Sequence, residues 1–315
     1  MTTKADARPR ASLLHRLAVY QRERFPLAAY IPLIAIAATA GMAWSRAARG
    51  AEGFVTGAHW GTGALTMLVM FFLLRVADEH KDAALDRVAR PELPVPRGLV
   101  SLAELRVVGG VLALVVVALN AWVAPALLLP LLVVATWAAL MTKEFFVAEW
   151  LRARHGLYLL SHMVVMPLIL GYASAVDWLV ESGAAPRMLA VFLAATYANG
   201  LVLEIGRKLR DPAAERPGVE TYSAVWGRGN ATALWTLALF AAAMLTAWAM
   251  TVAGLSAVTS FAVGMLAALL LALPARALLA GRPGSGKRIE RVSGVWNLFA
   301  YVLLALPWAM REAGR

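Results

Sequence analysis

The stretch MLVMFFLLRVADEHKDAALDRVARPELPVPRG, residues 67–98, changes from an apolar run to a dense cluster of charges. Asp78, Asp82 and Asp86 are spaced four residues apart. If a helix continues through residues 74–88, this spacing places the three carboxylates along one face. Stacked carboxylates repel one another unless a cation lies among them, and Mg²⁺ takes one or two carboxylates together with waters and phosphates. The stretch therefore predicts a membrane helix that ends in a cation site; the alternative is a solvated helix end with weak ion pairs.

The composition indicates an integral membrane protein. The chain has 315 residues, of which 61% are hydrophobic, and a mean hydropathy of +0.67. Soluble domains are nearer half apolar, whereas apolar runs of about 20 residues are long enough to cross a bilayer. The chain has no cysteine, which excludes thiolate chemistry and Cys-based metal sites. We expect no nucleic-acid binding from the net charge of +11, because no soluble module is left to carry it.

Nine apolar segments predict an all-α fold, a polytopic bundle of nine transmembrane helices. Their approximate bounds are 26–45, 57–77, 102–120, 122–141, 157–176, 187–206, 231–251, 255–278 and 292–310. Residues 1–25 lack the apolar core and cleavage site of a signal peptide, and we interpret them as a cytoplasmic arm. Residues 26–315 form a single predicted membrane domain.

The distribution of Lys and Arg predicts the orientation of the bundle. With the N-terminus inside, the inside segments contain 24 of the 30 Lys and Arg residues, and the outside segments contain five. An excess of positive residues marks cytoplasmic loops. The long charged loops are therefore predicted to face the cytoplasm from the cell (inner) membrane.

A second charged loop, LEIGRKLRDPAAERPGVETYSAVWGRGN at 203–230, follows the sixth span. A loop that only obeys the positive-inside rule needs basic residues but no acidic ones. This loop contains both, and the preceding helix carries a polar Asn199 at membrane depth. Its acidic residues are Glu204, Asp211 and Glu215, and its basic residues include Arg207, Lys208 and Arg210. Two mixed-charge loops at equivalent places predict a site for a diphosphate and Mg²⁺.

The nine spans and two charged loops resemble the UbiA superfamily of intramembrane prenyltransferases. The first motif of that family, Asn/Asp-x3-Asp-x3-Asp, is matched by Asp78, Asp82 and Asp86. The family continues with a segment like Arg-Pro-Leu-x-x-Gly, and this chain has Pro94-Val95-Pro96-Arg97-Gly98 with Leu93 in the usual place of Arg. The resemblance covers most of the chain.

The second motif departs from the family pattern of Asp-x3-Asp followed by Gly-x-x-Thr. Gly218 and Thr221 match the latter part, but the aspartate pair is absent. Glu204, Asp211 and Glu215 occur instead, with Arg207 and Lys208 among them. The basic residues could neutralise phosphate directly and reduce the need for a second Mg²⁺, or they could indicate a different donor.

The resemblance implies Mg²⁺-dependent transfer of an isoprenoid group from a prenyl diphosphate to an aromatic or lipid-like acceptor in the membrane. Asp78, Asp82 and Asp86 are the candidate ligands for Mg²⁺ and diphosphate, and Glu204, Asp211 and Glu215 are weaker candidates for a second cation or for orienting basic groups. The candidate phosphate binders are Lys81, Arg87, Arg97, Arg207, Lys208 and Arg210. Tyr222 and Asn199 complete the candidate substrate-binding residues; Tyr222 is a partner of diphosphate or acceptor, or an interfacial anchor.

Four alternative functions stay open. The same scaffold serves phosphoribosyl transfer to a lipid phosphate and terpenoid cyclisation, and a degenerate member would bind an isoprenoid lipid without turnover. A transporter or permease is the alternative from another class; it predicts acidic residues near the middle of the spans. Here the acidic residues cluster at the inner interface, which favours an enzyme.

Two further features are weighed outside these loops. His162, inside the fifth span, is either a neutral ring bonded to a backbone carbonyl or a catalytic base. GRPGSGKR at 281–288 has the Gly-x4-Gly-Lys spacing of a phosphate-binding loop, but Arg288 replaces Ser or Thr and no strand–helix context exists. We interpret it as a basic turn.

Overall fold

A computed structural model of the protein describes residues 11–215 and 219–314, and all regular secondary structure in these ranges is helical. In chain order, the α-helices are α1 (Leu13–Arg24), α2 (Leu27–Arg49), α3 (Gly57–Lys81), α4 (Ala83–Ala89), α5 (Leu102–Val123), α6 (Leu128–Thr142), α7 (Ala148–Arg152), α8 (His155–Met163), α9 (Val165–Glu181), α10 (Leu189–Arg207), α11 (Tyr222–Trp226), α12 (Arg228–Val252), α13 (Ala257–Ala272), α14 (Ala275–Leu279) and α15 (Ser285–Ala313). Three short turns are 3₁₀-like, at Pro125–Leu127, Glu144–Phe146 and Pro212–Ala214.

Nine helical segments within the described ranges are long and apolar enough to cross a membrane, which confirms the predicted all-α bundle. They are α2, α3, α5, α6 with the turn before it, α8 with α9, α10, α12, α13 with α14, and α15. The last helix begins at Ser285, seven residues earlier than the predicted 292, because a polar first turn precedes its apolar part. The fifth segment is interrupted at Val164, between α8 and α9.

The core of the bundle lies around α2, α9, α10, α12 and α15. Trp44, on α2, is fully buried, stacks on Phe192 of α10 at 4.6 Å, and donates to the carbonyl of Ala249 on α12. Small residues let helix backbones approach closely at such interfaces. At Gly206, an added Cβ would lie 2.0 Å from Oγ of Ser293, so the end of α10 is fixed tightly against α15.

We call the end of the bundle where α3 and α10 finish the loop end. Helix α1 lies there, held by ion pairs of Arg16 with Glu104 and of Arg24 with Glu79, each at 2.6 Å. Tyr20 of α1 and Glu79 of α3 are buried in this contact. The described part of the predicted arm is therefore a helix packed against the ends of α3 and α5.

The other end of the bundle, the opposite end, carries an ionic cluster of Arg46, Arg49, Asp177 and Glu181, in which Arg46 and Asp177 are buried. Asp177 accepts from Nη1 of Arg46 at 3.0 Å and from Nη2 of Arg49 at 2.8 Å. Arg311 of α15 donates to the carbonyl of Ala51 at 2.6 Å. This opposite-end cluster ties together the ends of α2 and α9, and Arg311 joins α15 to the same place.

Candidate functional site

The first charged motif continues the helical path beyond the end of α3. Helix α3 ends at Lys81, and the backbone bends at Asp82 before α4 begins. The backbone N–H groups of Asp82 and Asp86 nevertheless donate to the carbonyls of Asp78 and Asp82, each at 2.8 Å. The four-residue register of the three aspartates is thus kept across the bend, as the spacing predicts.

The three carboxylates nevertheless have different surroundings. Asp78 lies 3.6 Å from Nη1 of Arg75, and it interacts electrostatically with Arg207 of α10. Asp82 is half-buried and has no ion pair with the residues that the structure describes. Asp86 is buried, with Arg90 at 3.5 Å. Burial raises the pKa of Asp86 above its ordinary value, while Arg90 opposes that rise.

The acidic residues of the second loop all have close partners. Glu204 accepts from Arg207, and its Oε1 lies 2.9 Å from Nζ of Lys208. Buried Asp211 accepts from the backbone N–H of Gly286 at 3.4 Å, at the start of α15. Glu215 accepts at 2.8 Å, with both carboxylate oxygens, from the hydroxyl of Thr221. These contacts join the loop to itself and to α15.

The basic residues separate into two groups. Arg207 interacts electrostatically with Asp78 of the first motif, and Lys208 lies near Tyr222, with its Nζ 5.3 Å from the centre of that ring. Burial raises the pKa of Tyr222 above its ordinary value. The remaining predicted phosphate binders lie elsewhere: Arg97 pairs with Glu23 at 2.7 Å, Arg210 lies 3.6 Å from Glu290, and Arg87 is exposed on α4.

Lys81 belongs to a polar cluster that the sequence analysis did not assemble. Its Nζ lies 2.8 Å from Glu144, contacts the hydroxyl of Tyr158, and is 4.8 Å from the centre of that ring. Arg152 binds Glu144 from the other side at 2.8 Å. Burial raises the pKa of Glu144, but hydrogen bonds from Lys81 and Arg152 outweigh it and hold that pKa below its ordinary value. The contacts of Lys81 with Glu144 and Tyr158 were not predicted from the sequence.

Glu144 stands in an unusual backbone turn. Glu144, Phe145 and Phe146 have φ values of 47°, 53° and 61°, in the left-handed region. Each such residue without glycine costs about 1–2 kcal/mol, so the surrounding contacts must hold the turn in place. Phe145 packs edge-on against Trp137 and His162.

His162 and Asn199 are buried on the helices that line this end. Nδ1 of His162 lies 2.9 Å from the carbonyl oxygen of Tyr158, as expected for a neutral ring bonded to the backbone. Asn199 accepts from Nε1 of Trp296 at 2.8 Å, and its carbonyl accepts from Asn297. These contacts place Asn199 in the interface between α10 and α15.

Two predicted features need separate mention. Gly218, with the predicted turn at Pro217, lies outside the described residues, and only Thr221 of that motif is placed. The GRPGSGKR segment ends in the first turn of α15, where Gly286 packs against the backbone of Leu209 and Arg210. It forms a turn and a helix start, in agreement with its interpretation.

The described residues contain no group of three or more His, Cys, Asp or Glu side chains placed to hold a metal ion. Mg²⁺ usually keeps several waters and takes one or two carboxylates together with substrate phosphates. Asp78 and Asp82, both partly accessible and on one stretch of helix, fit that smaller requirement.

An apolar cavity of about 270 Å³ begins beside this charged region. Helices α3, α5, α6 and α9 enclose it. Ala77 lines the cavity directly before Asp78, and Thr142 lines it two residues before Glu144. Val117, Ala135 and Ala139 also line it and are exposed on the outer surface of the bundle, so the cavity opens sideways.

Fold and site together define a polytopic membrane protein with a charged region at one end and an apolar cavity beside it. No sequence-family model and no curated protein matches the chain. A solved UbiA homolog from Aeropyrum pernix K1 matches with a TM-score of 0.66 and 16% identity, over 89% of this chain and 98% of that one. A solved digeranylgeranylglyceryl phosphate synthase of membranes matches with a TM-score of 0.61 and 12% identity, over 93% and 99%. The predicted UbiA resemblance is thus confirmed for the fold.

Proposed function

We propose that this protein transfers a prenyl group from a prenyl diphosphate to a hydrophobic acceptor within the membrane. The observation that carries the proposal is the interaction of Asp78, one helical turn before Asp82, with Arg207 at the basic end of α10, inside this fold. Arg207 lies between the two motifs, bound to Glu204 and interacting with Asp78. We further propose that this end of the bundle faces the cytoplasm.

In this proposal Asp78 and Asp82 would hold Mg²⁺, which would supply positive charge to the diphosphate. Arg75, Arg207 and Lys208 bind phosphate oxygens from the side. Breaking the bond between the prenyl carbon and the diphosphate oxygen leaves the electron pair on the diphosphate, so fixed positive charge lowers the barrier. Asp86, buried against Arg90, positions the segment and is not part of the ion site.

The apolar cavity supplies the second requirement of the reaction. A developing allylic cation must be kept from water, and the prenyl chain must be buried. The cavity begins one residue from Asp78 and opens between α5 and α6, toward the lipid. A chain lying there would place its diphosphate at the loop end without crossing the charged surface.

The arrangement of charge also separates this proposal from a transporter. A solute pathway requires ionisable groups near the middle of the membrane. Among the described residues, the buried acidic side chains lie toward the two ends: Glu79, Asp86, Glu144, Glu204 and Asp211 at the loop end, and Asp177 at the opposite end.

The test is a transfer assay on purified protein in lipid nanodiscs. Radiolabelled geranyl, farnesyl and geranylgeranyl diphosphates are incubated with phenolic, quinol and glycerol-phosphate acceptors, with Mg²⁺ or with EDTA. We expect Mg²⁺-dependent release of diphosphate and a labelled lipid-soluble product with at least one pair.

The matched control is Asp82→Asn, which keeps the size of the side chain and removes its charge. Equal product from wild type and Asp82→Asn would contradict the proposed site. Absence of release with every donor would contradict the proposed function. Phosphoribosyl diphosphate, as a further donor with lipid phosphate, tests the phosphoribosyl alternative in the same assay.

A further inference from the structure

The tautomer of His162 follows from its backbone contact. Its Nδ1 lies 2.9 Å from the carbonyl oxygen of Tyr158, and a carbonyl can only accept. Nδ1 therefore carries the hydrogen, and Nε2 presents a lone pair. Ser161 supports this assignment, because its hydroxyl donates to the same carbonyl at 3.1 Å and leaves a lone pair toward Nδ1 at 3.3 Å.

The lone pair on Nε2 has no donor within the part of the chain that the structure describes. The residue is only 8% exposed, so water does not freely replace a protein partner. Buried polar atoms in proteins are almost always hydrogen-bonded, and an exception calls for an explanation. A ligand that carries a hydrogen-bond donor would satisfy this atom.

The His162 ring lies near the charged region at the end of α3. The His162 ring stacks on Tyr158 at 3.9 Å, and the hydroxyl of Tyr158 binds Lys81 at the end of α3. His162 also interacts electrostatically with Lys81 and with Lys208 of the second motif. The His162 ring is thus adjacent to the contact between Lys81 and Tyr158 at the end of α3, and it interacts electrostatically with the second motif.

We propose that Nε2 of His162 accepts a hydrogen bond from an O–H or N–H group of the acceptor substrate. This inference rests on the proposed function and narrows it: the acceptor class is one that presents a donor group beside the diphosphate. A site built around a buried hydrogen-bond partner discriminates strongly against analogues that lack it, because the site atom is then left unpaired. His162 is accordingly a specificity residue for the acceptor.

His80 supplies an internal comparison. Its Nδ1 lies 2.8 Å from the carbonyl of Val76, and its Nε2 also has no partner among the described residues. Its ring is half-buried and has no stacking contact with Tyr158. A probe that binds at the proposed place should affect His162 and leave His80 unchanged.

The experiment is ¹⁵N NMR of the imidazole groups in histidine-labelled protein in nanodiscs, without diphosphate or Mg²⁺. The probes are 4-hexylphenol and 4-hexylanisole, which differ in the hydroxyl hydrogen. A variant with His15, His59, His80 and His155 replaced by Gln leaves one of the five histidines and assigns its signals. We expect the Nε2 signal of His162 to shift with the phenol and not with the anisole.

An unchanged signal with the phenol, or an equal shift with both probes, would overturn the inference, as would a hydrogen on Nε2 in the ligand-free protein. Because no donor substrate is present, this result is independent of whether prenyl transfer occurs. In the transfer assay, His162→Gln should raise KM for a phenolic acceptor at least about tenfold, with KM for the prenyl diphosphate unchanged. His80→Gln should alter neither value.

Discussion

The two charged regions at the loop end contain the same types of residue but differ in the partners of their acidic side chains. In residues 75–90, Asp78 lies 3.6 Å from Arg75, and Asp82 has no ion pair among the described residues. In residues 204–221, Glu204, Asp211 and Glu215 are each held by a partner within the protein. The first region therefore contains a carboxylate without an ion pair among the described residues, whereas the second region contributes the basic side chains of Arg207 and Lys208.

The difference comes from spacing on the helix. Side chains three and four residues apart are neighbours, and Glu204 has Arg207 and Lys208 at those positions. Asp78 has Lys81 and Asp82 at those positions, but Lys81 binds Glu144 and Tyr158 instead. A tertiary contact thus keeps the first motif open for a cation.

The largest expected effect is in the open acidic region. Asp82→Asn should lower kcat/KM for the prenyl diphosphate by about 10²-fold or more, because it removes a ligand of the ion that stabilises the leaving group. Mg²⁺-dependent release of diphosphate measures it. Asp86→Asn is the matched comparison and should retain most activity; a loss as large as that of Asp82→Asn would restore the three-aspartate site.

The next effect concerns the basic region. Arg207→Gln should lower kcat/KM by about 10²-fold, since it removes charge placed against the phosphates. Glu204→Gln should retain activity, because the Glu204 carboxylate binds Arg207 and Lys208 and is not needed by a metal ion. If Glu204→Gln abolished Mg²⁺-dependent transfer, the second region would hold a cation of its own, and the contrast between the regions would fail.

A smaller effect, on stability alone, is expected at Asp211. Asp211 lies in the second loop and accepts from the first turn of α15. Asp211→Asn removes this buried negative charge and should lower the free energy of unfolding by about 1–2 kcal/mol. Thermal unfolding in detergent measures it. Glu290→Gln is the comparison on the same helix: its pair with Arg210 is partly exposed and should contribute less than about 1 kcal/mol. A large loss of transfer with unchanged stability in Asp211→Asn would place Asp211 in the reaction.

The smallest effect is expected for the contact between Glu215 and Thr221. The Glu215 carboxylate accepts from the hydroxyl of Thr221, and that hydroxyl caps α11 by accepting from the N–H of Ala224 at 3.1 Å. Thr221→Val should destabilise α11 by about 1 kcal/mol, visible as faster amide exchange in residues 222–226. Thr221→Ser keeps the hydroxyl and should exchange at the original rate. Equal exchange in both variants would show that the contact contributes nothing.

The parts of the fold that local sequence patterns determine were predictable. Each of the nine spans is a continuous apolar run, and the aspartate register follows from helix geometry alone. The ion pairs of Glu204 with Arg207 and Lys208 were also readable, because they join neighbours on one helix turn. The role of Glu204, as a ligand of a second cation or as a residue that orients the basic groups, stays a prediction.

Other parts of the site depend on contacts between distant segments. Lys81 and Glu144 are 63 positions apart, and nothing in either segment specifies the other. The left-handed turn at 144–146 contains no glycine to announce it. Helix α1 reaches Glu79 through Arg24, although nothing in the sequence of the arm specifies that partner. Burial, which decides that Asp86 differs from Asp82, likewise appears only when the helices are packed.

The opposite-end cluster gives the proposed reaction a direction. Arg46 and Asp177 bring buried charge to that end, and Arg311 of α15 binds the carbonyl of Ala51 there. The proposed site lies at the loop end, so in this proposal the diphosphate anion leaves on the side from which the donor arrived. In sealed vesicles of one orientation, the reaction would consume prenyl diphosphate and return inorganic diphosphate in the same compartment, while its lipid product stays in the bilayer.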